Sequence, residues 1–450
     1  MLNRRIQAIG CIGALLWLCA ACQTQNREAG QAEISYRKEG FMKTEIDQLI
    51  ERELRGCFDY FWQETQAELG SVGYGLTRDN TKPKEKDFAS IAATGFALAA
   101  YPVGVEKGWI TRKQGLERTV GTLRTFEGLS EYKGFFYHFI HISTGLPYEG
   151  SEISTMDTAL FLAGAAATAE YFGGEAAEIY DRIFKRVDWT ALVKPNRRFF
   201  MAFRPKDTEY EAFGEWSEAA EQAVMYVLGA GSPTHPISGE LFYTFSRWLN
   251  RSGPYEYIRS YMNSLFVYQF SHGFIDFRGT ADRKGVDWFA NSVNAARAAR
   301  QFAIDAQEEF KTLGPNSWGL SACLGPRGYS GAYGSRPNGM PGGAQVDKND
   351  GTVAIHGAVA SLPFTPEEAG AALAHYAKYD KLWGPYGLTD SYNLDHSPEG
   401  WFCPDYIGID KGIELVMIAN YQTGLIWELF NRNAYVKAGL QAVGIQKTEK

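Results

Sequence analysis

Two acidic stretches hold the side chains best suited to chemistry. In the first, Glu211, Glu215, Glu218 and Glu221 surround Trp216, ahead of an apolar run from Ala219 to Leu228 and a Gly231-Ser-Pro-Thr-His235-Pro loop. In the second, Tyr148 is followed by Glu149, Glu152 and Asp157. Two carboxyl groups flanking a cleft, one protonated and one ionised, are what hydrolysis of a glycosidic bond requires. Ser217 reads as a helix N-cap that places Glu218 and Glu221 in or near the first turn. The helix dipole alone favours acids there. Ser154 and Asp157 read as partners in a capping box, which offers Asp157 a purely structural duty. Glu152 precedes that helix and has no capping duty.

Sugar rings also need flat apolar surfaces and hydroxyl partners. Trp216, Trp318, Tyr329 and Trp401 are candidates for stacking. His235, His272, Asp276, Arg278 and Asp410 are candidates for hydroxyl contacts, with Glu149 and His396 beside them. His138 and His141, set among Phe and Tyr, read as satisfied core or rim histidines. Histidine and cysteine spacings fit no metal motif. No phosphate loop, nucleophile elbow or dinucleotide fingerprint is present.

The elements that must position these residues are mostly helices. Helical periodicity is expected over 45–66, 89–101, 111–126, 154–173 and 175–187, then from Glu218 onward. Further helices are expected over 238–249, 257–270, 287–310, from Thr365-Pro366, over 412–430 and at the C-terminus. That makes about eleven or twelve. Few strands are convincing, and 198–203 is the best of them. Gly314 to Gly351, with ten glycines and four prolines, reads as a long loop over a site, and Asp347 to Gly351 within it as a turn. Helix pairs in this number, with polar groups at their entrances and no fixed repeat, suit a closed toroid, all-α, with one active rim.

The chain has 450 residues, a net charge of -7, and 11 Trp, 25 Tyr and 28 Phe. Interspersed charge excludes a nucleic-acid partner as an expectation. Arg4 and Arg5 precede an apolar run that ends Leu18-Cys-Ala-Ala-Cys22. Residues 1–22 therefore read as a signal peptide with Cys22 as a lipidated residue, 23–42 as a tether, and 43–450 as one domain. The expected location is outside the cytoplasm, anchored to a bacterial membrane by lipid alone. Of the remaining cysteines, Cys57, Cys323 and Cys403 allow at most one disulfide.

Several segments resemble the glucoamylase-like bacterial lipoproteins, and within them glycoside hydrolase family 144, the β-1,2-glucanases. They are Thr94–Glu106, Gly134–Phe139, Ser151–Leu160, Gly231–Ile237, Ser271–Gly279, Trp318–Ala322, Asp350–Ala354 and Tyr406–Gly412. The resemblance implies an (α/α)₆ toroid and an inverting hydrolase of a glucan that needs no cofactor or metal. It implies that the catalytic acids fall within Glu149–Asp157 and Trp216–Glu221. Glu221 would then protonate the leaving oxygen, with Glu152, Asp157 or Glu218 activating water. The chain departs from the family's usual pattern in Ala219-Ala220 before Glu221, and in Lys411-Gly-Ile where Gln-Gly-Pro is commoner. The rival expectation is a glycan-binding lipoprotein without catalysis. A lyase is disfavoured because two acidic clusters would repel an anionic substrate.

Overall fold

The computed structural model describes residues 44–206, 209–260, 263–331, 333–334 and 349–448. Residues 1–22, expected as a signal peptide with Cys22, and 23–42, expected as a tether, lie outside them. Residues up to Glu51 form a unit of their own, helical over 44–51. Everything else belongs to a second unit, Arg52–Lys450.

The helices of that unit are α1 (52–63), then α2 (Ile91–Glu106), α3 (Arg112–Gly128), α4 (Thr155–Phe172), α5 (Gly174–Lys185) and α6 (Ala223–Ala230). After them come α7 (Phe270–Phe274), α8 (Trp288–Asp305), α9 (Ile355–Val359), α10 (Pro366–Tyr376), α11 (Gly408–Gln422), α12 (Leu425–Arg432) and α13 (Ala434–Val443).

Six of them, α2, α4, α6, α7, α9 and α11, form an inner ring, as expected for an (α/α)₆ toroid. A helix apolar all round belongs in an interior, and α2 is buried without a break from Ile91 to Gly104. Helix α4 is buried from Thr155 to Ala169 except at Asp157. Helix α11 is buried from Gly408 to Asn420 except at Ile409. Outer helices such as α5 and α12 bury only one stripe.

Inner helices run in the same direction, so their N-termini share one rim. Backbones close in along the seams: a Cβ on Gly164 of α4 would lie 1.8 Å from the Gly95 carbonyl oxygen of α2. Likewise Gly412 of α11 faces Phe96 of α2.

Local chemistry sets the entrances. Ser90 caps α2, and Thr111 and Gln114 complete the expected capping box of α3. Ser154 caps α4 by accepting from the Asp157 N–H.

The region after Glu215 departs from expectation. Helix α6 starts only at Ala223, because Ser217–Ala219 is drawn out by pairing with Ser246. Residues 238–249 hold only a short 3₁₀ turn, Gly239–Tyr243. In place of a helix over 257–270, a hairpin pairs Leu249–Ser252 with Tyr255–Ile258, and a 3₁₀ turn follows at Leu265–Tyr268. The β-branched and aromatic residues there suit a pleated surface as well as a helix face. The span 412–430 breaks into α11 and α12 at Gly424, whose φ of 71° no other residue type adopts freely.

The expected strand shifts to Ala202–Lys206, paired with Ile153–Ser154 and Glu209–Phe213. The glycine-rich loop carries a hairpin, Cys323–Gly325 with Gly328–Ser330. In the described end of the expected turn, Asp350 accepts the Thr352 N–H at 3.1 Å. Cys57, Cys323 and Cys403 are free, buried thiols.

Candidate active site

Three entrances of the inner ring and one loop meet at the shared rim. The loop is 77–81, held to α11 where the Gly408 N–H donates to the Asp79 carbonyl at 2.6 Å. Its Asp79 carboxylate accepts from Asn80 Nδ2 at 3.0 Å. Opposite, the His138 N–H donates to the Glu152 carbonyl at 2.8 Å. That pairing sets the imidazole between two acids: Nδ1 lies 2.9 Å from Glu152 Oε1 and Nε2 lies 3.5 Å from Asp157 Oδ1. Asp157 Oδ2 accepts from the Ser154 hydroxyl. One oxygen of Asp157 therefore serves the helix cap while the other faces His138.

Glu221 stands just ahead of α6. The Ser271 hydroxyl of α7 donates to the Glu221 carbonyl at 2.5 Å and accepts the Val224 N–H at 3.0 Å. One serine from a neighbouring inner helix thus supplies the missing cap of α6 and pins the backbone of Glu221.

The electrostatics divide these groups by role. Burial, with the negative charge of Asp157 adding to it, pushes the Glu221 carboxyl up to about 7. Burial would lower the His138 imidazole, but Asp157 and Glu152 outweigh it and raise it to about 9. Its hydrogen bond in turn holds the Glu152 carboxyl below the ordinary range. Burial raises Asp79. The arrangement offers a carboxyl that can hold a proton near neutrality, beside a carboxylate that an imidazolium keeps company. Two titratable groups pushed apart by their surroundings are the usual mark of an acid and base pair.

Of these groups Asp79 and His138 border a cavity of about 260 Å³, lined also by Glu85, Phe88, Ser90, Phe139 and Tyr329. Phe88 and Phe139 stack at 4.4 Å, and the His138 ring lies 3.7 Å from Phe139. Tyr329, 55% exposed, comes from the hairpin of the glycine-rich loop. The cavity thus has an acidic wall and aromatic walls.

Residues 214–434 match the Glycoamylase family model, described as "Putative glucoamylase". Over that stretch the chain is similar to the glucoamylase-like proteins. It is 26% identical over 442 residues to an exo β-1,2-glucooligosaccharide sophorohydrolase (non-reducing end) of Parabacteroides distasonis. That match covers 88% of this chain, which spans only 58% of the relative's length. Among solved structures, an endo-β-1,2-glucanase of Chitinophaga pinensis, in complex with sophorotriose and glucose, superposes with a TM-score of 0.78 at 25% identity. The match covers 89% of this chain and 98% of that one. A β-1,2-glucanase of Parabacteroides distasonis also gives a TM-score of 0.78 at 25% identity, over 89% of this chain and 60% of the other.

The fold brings together Glu152 and Asp157 around His138, with Glu221 within electrostatic reach of Asp157, and sets Tyr329 on the cavity wall and Asp410 at the entrance of α11. It sends other candidates elsewhere. His235 follows the C-terminus of α6 and Asp276 and Arg278 follow that of α7, so these three lie toward the far rim. Arg278 is spent on Asp276 at 2.8 Å and on the Trp427 ring at 4.1 Å. His272 is a core residue: Nε2 meets Ser292 Oγ at 2.9 Å, and burial lowers the ring to about 3. It borders a cavity of about 30 Å³ beside Ala219 and Ala220.

Trp318 is fully buried and Trp216 nearly so, hence neither ring is a stacking platform. Trp401 packs against Leu324, Cys403, Ile407 and Ile409, behind the cavity wall. Glu218 forms an ion pair with Arg259 at 3.5 Å, which occupies it. Glu149 and His396 are exposed on loops.

The sequence reading missed Asp79, His138 as an active-site group, Phe88 and Phe139. A signal existed for Asp79: Thr77-Arg-Asp-Asn is a polar knot in the loop that leads to α2. His138 shows no such signal, because its acidic partners lie 14 and 19 positions away.

Proposed function

We propose that this protein is a glycoside hydrolase acting on β-1,2-linked glucan or its oligosaccharides, with inversion at the anomeric carbon. The observation that carries the reading is Glu221, half-buried, with its carboxyl raised to about 7 by desolvation and by Asp157. Glu221 donates its proton to the leaving oxygen. Asp157, the one partly exposed residue in the buried body of α4, takes the proton of the attacking water. His138 holds the Glu152 and Asp157 carboxylates in place, and Phe88, Phe139 and Tyr329 stack on sugar rings. Support for the linkage comes from the similar proteins, a sophorohydrolase and two β-1,2-glucanases. Glu221→Gln tests the acid: release of reducing sugar from linear β-1,2-glucan should fall by about 10²–10⁴-fold. Unchanged release would remove Glu221 from the mechanism. Binding without release, in wild type as in variant, would favour a glycan-binding protein. The Leu18–Cys22 segment supports secretion and a lipid anchor on Cys22, and among the described residues no helix is long and apolar enough to cross a membrane.

A further inference from the structure

At the entrances of α9 and α11, close to Tyr329, three further side chains converge. His356, Asp390 and Asp410 each bring one donor atom within 4.8 Å of the other two. Their exposures are 1%, 4% and 4%. Asp390 Oδ2 accepts the Leu324 N–H at 2.7 Å. Asp390 Oδ1, Asp410 Oδ2 and both ring nitrogens of His356 have no hydrogen-bond partner among the described residues. Buried polar atoms left in that state are rare and costly. His356 Nδ1 lies 3.4 Å from Asp410 Oδ1 without hydrogen-bond geometry. That spacing is what two corners of a tetrahedron have when each is about 2.1 Å from a common centre.

A neighbouring trio makes the contrast. Glu53, Cys57 and Glu414 also cluster, but the Lys411 ammonium already sits among them, donating to Glu53, to Glu414 Oε2 at 2.5 Å and to the Leu388 carbonyl at 3.2 Å. Lys411 is thereby committed, and among the described residues no lysine or arginine forms an ion pair with Asp390 or Asp410.

The geometry points to a binding site for a divalent transition-metal cation, of the zinc or manganese class, formed by His356, Asp390 and Asp410. One imidazole nitrogen with two carboxylate oxygens is a donor set such ions accept. The bound ion ties α9, the segment before Ser391 and α11 together beside the cavity. The site stands whether or not the protein cleaves glucan.

The test uses the full mature chain, stripped with EDTA and desalted. ZnCl₂ and MnCl₂ are titrated separately by calorimetry, with CaCl₂ as an oxygen-preferring control and bound metal counted by elemental analysis. About one equivalent of zinc or manganese is expected, with a rise in Tm of about 3 °C at saturating metal. His356→Ala and Asp390→Asn should each weaken binding on the order of 100-fold. No stoichiometric uptake, or uptake untouched in both variants, overturns the proposal. Cobalt substitution of the wild type decides the matter even if the variants fold poorly. Weak visible bands without a thiolate charge-transfer band support the His and Asp donors. A thiolate band assigns the ion to Cys57 and overturns them.

Discussion

Glu221 trades stability for a proton. Its pKa is raised on folding, so its contribution to stability is present below the ordinary carboxyl value and is lost as pH rises through about 7. Wild type should therefore lose on the order of 1–3 kcal/mol between pH 5 and pH 8, a loss that Glu221→Gln should lack. Urea unfolding at the two pH values checks this, and parallel pH dependence in both proteins would contradict it. The same titration predicts that turnover falls as pH rises through about 7. His138 positions the carboxylates on either side of it. His138→Gln removes the ring held between Glu152 and Asp157, so kcat on linear β-1,2-glucan should fall on the order of 10-fold or more with KM little changed. An unchanged kcat would leave His138 a merely structural partner.

At the scale of elements, polar residues are cheap only at helix entrances, where backbone N–H groups need acceptors. The ring of parallel inner helices collects those entrances at one rim, and the acids collect with them. The ring depends on close seams. Gly164→Ala would drive a methyl group into the Gly95 carbonyl, which backbone on both sides cannot yield cheaply. The expected loss is about 1–3 kcal/mol or more, read as a lower Tm with the helical circular dichroism retained at 20 °C. A neutral result would mean that α2 and α4 can slide apart without cost.

On the scale of the whole molecule, α1, α11 and the hairpin Trp383–Leu388 are joined by a buried ionic cluster. Lys411 pairs with Glu53 and Glu414, the Leu388 N–H donates to Glu53 Oε2 at 2.8 Å, and Cys57 Sγ donates to Glu414 Oε2 at 3.4 Å. Removing the ammonium leaves buried carboxylates alone. Lys411→Met should cost about 3–5 kcal/mol in urea unfolding, and Lys411→Gln less, since its amide still donates. Equal losses in the two variants would deny the cluster its role. Closing the ring in this way brings residues hundreds of positions apart, such as Asp79 and Tyr329, to one cavity.

The sequence by itself determined the bodies of α2, α4, α6 and α11, the caps at Thr111 and Ser154, and the toroid, because continuous apolar runs and capping residues act over a few positions; the short inner helices α7 and α9 it did not mark. It also marked Glu152, Asp157 and Glu221, since acids at helix entrances are visible in one dimension. Tertiary structure alone decided which aromatics face the cavity, which histidines are core, and that His138 lies between two acids. It set the start of α6 at Ala223, through pairing with Ser246 and a cap from Ser271. These outcomes depend on contacts between segments far apart in the chain, whose energies no local pattern records.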